Sequence, residues 1–74
     1  MRDTAHVAST GLTEREREVV RLVAQGKSNR EMADALVVTK RTIETHINNI
    51  LYKLNLTSRA QLVVWAVERG LATH

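Results

Sequence analysis

The sequence predicts an all-α domain of four helices, and three observations carry that prediction. Ser/Thr and Glu/Gln recur at capping-box spacing in three places: Thr13 with Glu16, Ser28 with Glu31, and Ser58 with Gln61. Gly26 and Gly70 each follow an apolar stretch of helical period, where a left-handed residue closes a helix. The 74 residues contain no proline, so nothing breaks a helix interior. Start signals, stop signals and periodicity agree with one another.

Residues 1–10 show no apolar periodicity and are expected to be a disordered arm or linker remnant, with the folded domain over 11–74. Thr13 caps the first helix, whose inner positions are Val19, Val20, Leu22 and Val23. Its charged face, EREREVVR, is expected to be solvated. Ser28 opens the second helix, with Met32, Ala33 and Leu36 inside. Small Ala33 lets another helix approach closely. Val37 and Val38 fill a sharp corner, and Thr39 caps the third helix. A helix, a turn of about three residues and a second helix form a helix-turn-helix, with the third helix of the domain in the reading position. Ser58 opens the fourth helix, in which Leu62, Val63, Ala66 and Val67 are expected to cover the core.

Composition narrows the function classes. There is no Cys, hence no disulfide framework and no thiolate metal site. The sequence has neither an 18-residue apolar run nor a signal-peptide stretch, so no membrane association and a cytoplasmic protein are expected. The net charge of +3 is concentrated. Six basic residues (Lys27, Arg30, Lys40, Arg41, Lys53, Arg59) face three acidic ones (Glu31, Asp34, Glu44) between Lys27 and Arg59, while the flanks cancel. A basic centre suits a polyanion. No nucleophile–base constellation and no glycine-rich phosphate loop is present, so an enzyme is not expected, and no cofactor or metal is implied. His46, at the edge of an apolar stripe, has no second ligand three or four residues away and reads as a packed histidine.

Residues of the third helix, set roughly 100° apart, separate into two faces. Ile43, Ile47, Ile50 and Leu54 form the core stripe, with Leu51 at its edge. Arg41, Glu44, Thr45, Asn48 and Tyr52 gather opposite, with Asn49 on the flank. Asn bonds bidentately to adenine, Glu accepts from the cytosine amino group, and a Thr methyl touches the thymine methyl. Lys40 and Arg41, near the helix start, reach phosphate or guanine. Glu44 has a competing use, an ion pair with Lys40 one turn back.

The motifs LTEREREV, GKSN, TIETH, ILYKL, SRA and GLA, from Leu12 to Ala72, together resemble the LuxR-type helix-turn-helix domain of bacterial transcription regulators. The resemblance implies that the third helix lies in the major groove of double-stranded DNA. It implies base reading by Glu44, Thr45 and Asn48, the residues that the helical wheel also selects. It implies phosphate contacts from Ser28, Asn29, Arg30, Lys40, Arg41, Thr42 and Lys53. Many members carry Lys where this chain has Glu44, so a different base preference is expected there.

In the fourth helix, LVVWAV leaves Val64 and Trp65 pointing away from the expected core, beside Gln61 and Glu68. An exposed Trp next to an exposed Val marks a contact surface. The resemblance implies homodimerisation through this helix on a two-fold symmetric site. It also implies a sensor or receiver domain if the chain is a fragment of a larger regulator. Two other readings compete: a protein-interaction module using the apolar fourth helix, and a sigma-factor-like promoter-reading module.

Overall fold

The computed structural model describes residues 11–71, so the expected N-terminal arm lies outside the described residues, as do residues 72–74. Among the described residues the chain forms α1 (Glu14–Ala24), α2 (Asn29–Leu36), α3 (Lys40–Leu54) and α4 (Arg59–Glu68), and no strand. Each start follows from a side chain. Thr13 Oγ1 accepts the Glu16 amide while Glu16 accepts the Thr13 amide, and Ser28 and Glu31 do the same at α2. Thr39 accepts the Thr42 amide at α3.

The fourth start differs from the expected box. Ser58 Oγ accepts the Gln61 amide, but Gln61 Oε1 turns one residue further back and accepts from both the Thr57 amide (2.7 Å) and the Thr57 hydroxyl (3.1 Å). Two donors on Thr57 outbid the single N–H of Ser58.

The helix ends use left-handed residues. Gly26 (φ 86°) ends α1, and the Lys27 amide returns to the Leu22 carbonyl at 3.1 Å. Asn55 (φ 59°) caps α3, and the Leu56 amide returns to Leu51 at 2.8 Å. At the end of α2 the same conformation falls on Val37 (φ 57°), a β-branched residue for which it is costly. Val37 and Val38 form the corner as expected; Val37 is 88% exposed there, while half-buried Val38 packs on the core.

The core is Leu12, Val19, Val20 and Val23 of the α1 segment, Met32 and Ala33 of α2, Ile43, Ile47 and Ile50 of α3, and Leu62 and Ala66 of α4. Helix α1 packs on α4 and α3, and α2 packs on α3. Val67 departs from its expected core position and is 53% exposed. It lies roughly 120° around α4 from the line through Leu62 and Ala66, whereas Val63 and Trp65 flank that line at roughly 80° and are half-buried.

Candidate nucleic-acid interface

Helix α3 buries Ile43, Ile47 and Ile50, which fixes the rotation of the helix and turns the opposite face outward. Arg41, Glu44, Thr45, Asn48, Asn49 and Tyr52 are all exposed on that side. Glu44 is not paired with Lys40: among the described residues the ion pairs are Arg15–Glu18 and Lys53–Glu16. The Glu44 carboxylate is therefore available as an acceptor on an otherwise basic or neutral face. His46 is half-buried beside the core stripe.

The residues expected on phosphate form two groups. Lys40, Arg41 and Thr42 lie in the first turn of α3. The Thr42 hydroxyl is 3.0 Å from that of Thr39, so the two hydroxyls share one hydrogen bond and leave one donor for an outside acceptor. Ser28, Asn29 and Arg30 lie at the start of α2. Ser28 Oγ accepts from Glu31, which leaves its O–H free to donate. Glu31 spends its carboxylate on the Ser28 amide at 2.8 Å. That hydrogen bond, outweighing burial and helped by the nearby charge of Lys27, holds the Glu31 carboxyl below its ordinary range.

Asn29 is positioned by a residue that the sequence reading did not place in the site. Arg59, at the start of α4, donates to Asn29 Oδ1 and, at 2.7 Å, to the Lys27 carbonyl. Because a guanidinium only donates, the Asn29 oxygen must face Arg59, and its NH₂ group is the end left free to donate. The signal was present in the SRA motif and in the basic count, but nothing in the sequence says that position 59 meets position 29.

Lys53, expected on phosphate, has a partner within the domain that the sequence did not foretell. Its ammonium lies 2.8 Å from Glu16 Oε1, with the Glu16 side chain only 5% exposed. Burial raises the Glu16 pKa, but the Lys53 hydrogen bond, the Thr13 bonds and the Lys53 charge together more than offset it, so the carboxyl sits below its ordinary value.

The four residues expected at a dimer interface come together. Gln61, Val64, Trp65 and Glu68 line one open groove with Asn55, Leu56 and Ala60. Val64 is 56% exposed. Trp65 is half-buried, and Arg69 stacks over its ring, 4.2 Å from the centroid, while donating to the Trp65 carbonyl. No helix among the described residues is long and apolar enough to cross a membrane.

The sequence matches known proteins over the same helices. Residues 10–66 match the family described as bacterial regulatory proteins, luxR family. The chain is 47% identical over 60 residues to the response regulator protein VraR of Staphylococcus aureus, and equally so to that of Staphylococcus saprophyticus and of Staphylococcus epidermidis. These matches cover 81% of this chain and 29% of each relative, so the chain spans less than a third of their length. The family match covers most of the chain, including both helices of the motif and the tight turn between them, and the chain belongs to the luxR family of bacterial regulatory proteins as a LuxR-type helix-turn-helix DNA-binding domain.

Proposed function

We propose that this chain reads specific sequences in double-stranded DNA as the output domain of a transcription regulator, with α3 in the major groove. One observation carries the reading: the outward face of α3 presents Arg41, Glu44, Thr45 and Asn48, all exposed and none engaged in an ion pair among the described residues. Side-chain donors and acceptors left unpaired beside a tight turn suit base edges. Glu44, Thr45 and Asn48 read bases. Ser28, Asn29, Arg30, Lys40, Arg41 and Thr42 hold phosphates and set the docking pose. Lys53 braces the end of α3 through Glu16.

Two copies bind a two-fold symmetric site through Gln61, Val64, Trp65 and Glu68. The groove that these residues line, with exposed Val64 at its wall, supports that use. The response-regulator relatives support a receiver domain as the controlling partner in a longer protein.

Selection from a random duplex library, with the winner titrated across salt, tests the reading. A palindromic consensus and a steep salt slope are expected. Weak binding that is equal for every duplex would reject sequence reading by α3. Salt-insensitive binding to a protein alone would favour an interaction module built on α4, and a single asymmetric promoter-like consensus would favour the sigma-factor-like alternative.

A further inference from the structure

Tyr52 is 87% exposed, one of four large hydrophobic side chains left in solvent among the described residues. It lies in the last turn of α3 and has no side-chain partner among the described residues. Steps of roughly 100° put it between Arg41 and Thr45 in projection, at the middle of the outward face rather than on its edge. Along the axis it stands about 6 Å beyond Asn48 and about 12 Å beyond Glu44. The major groove is about 12 Å wide, and a reading helix inserts its N-terminal part. A side chain two turns past Glu44 therefore meets the rim of the groove, where the sugar–phosphate backbone runs. Lys53, the neighbouring cation, is paired with Glu16.

We infer that Tyr52 anchors the C-terminal end of α3 on the DNA backbone, its phenolic hydroxyl donating to a phosphate oxygen at the groove rim. The inference rests on the placement of α3 in the major groove proposed above. A phenol is a neutral donor. It strengthens binding without selecting a base and without displacing a counterion, which separates it from the lysine and arginine contacts. Its ring lies against the sugar edge and limits the tilt of the helix.

The test uses Tyr52→Phe, which removes the hydroxyl alone from a solvent-exposed position. The 74-residue chain is titrated against the duplex won by library selection and against a scrambled duplex, across salt. A loss of about tenfold on both duplexes with an unchanged salt slope is expected. A series of duplexes, each with one neutral methylphosphonate, should contain a rim position that weakens the parent chain and leaves Tyr52→Phe unaffected. Equal binding by parent and Tyr52→Phe would overturn the assignment while leaving the α3 reading intact. So would a changed base preference at one position, which makes Tyr52 a base reader. Failure of the parent chain to bind any duplex would overturn the α3 reading, and this inference with it.

Discussion

Lys53 Nζ lies 2.8 Å from Glu16 Oε1, and that same oxygen accepts the Thr13 amide at 2.9 Å. One carboxylate thus closes the cap of α1 and holds the last turn of α3, 37 residues away in sequence. The last turn of α3 is tied to the start of α1, which helps to fix the angle of α3 on the domain.

Replacing Lys53 by Met leaves the buried Glu16 carboxylate with only the Thr13 donors. The loss should be about 1–2 kcal/mol, below the full cost of a broken buried pair because the Lys53 end is partly solvated. Urea unfolding measures it. Glu16→Gln combined with Lys53→Met should cost less than the two single losses added, since both remove one interaction. The salt slope of DNA binding should stay as in the parent if Glu16 is the sole partner of Lys53, and a slope flatter by about one unit would put Lys53 on a phosphate.

Acid should unfold this domain partly through Glu16. Its carboxyl is held below its ordinary 4.5, so in the acid range the unfolded chain binds more protons than the folded one. The stabilisation is complete above the unfolded value and is lost as pH falls through the lower folded value. Thermal melts from pH 7 to about pH 3 should fall more steeply for the parent than for Glu16→Gln, and parallel curves would remove Glu16 from the account.

Val37→Gly should stabilise the domain. Val37 holds a left-handed backbone at φ 57° while its side chain is 88% exposed, so the substitution relieves strain and forfeits little packing. The gain should be about 0.5–1 kcal/mol, the strain relieved less the extra freedom of glycine in the unfolded chain. Val37→Asn should behave similarly, and a drop in Tm for both would show that the exposed isopropyl group does something else.

Arg59→Met should weaken DNA binding through Asn29, although Arg59 is not itself a proposed DNA contact. Asn29 would lose the donor that orients its amide, and the turn after α1 would lose its tie to α4. Roughly a fivefold loss, equal on specific and scrambled duplexes, is expected from one misplaced phosphate contact. Asn29→Ala should produce a similar loss, and Arg59→Met on top of it should add little.

Asn48 and Glu44 should separate by sign. Asn48→Ala should cost about 1–3 kcal/mol on the selected duplex and relax one base position. Glu44→Ala removes an unpaired negative charge from the DNA face, so it should bind scrambled duplexes more tightly while losing discrimination at one base pair. A competition assay across single-base variants reads both. Uniform weakening by Glu44→Ala would place Glu44 off the bases.

The sequence by itself determined the helices and the two faces of α3. Thr13, Ser28, Thr39 and Ser58 act within one turn of chain, and Ile43, Ile47 and Ile50 repeat at the helical period, so these features need no distant partner. The half-completed box at Ser58 shows where even local reading ends: Gln61 chose between two nearby donor sets, and its spacing fits both. What only the tertiary structure decided are the meetings across the chain. Lys53 with Glu16 and Arg59 with Asn29 join residues whose separation carries no periodic signal. The exposure of Val67 and the half-burial of Trp65 follow from how α4 is rotated against α1, and an all-apolar LVVWAV offers no polar face to set that rotation in advance.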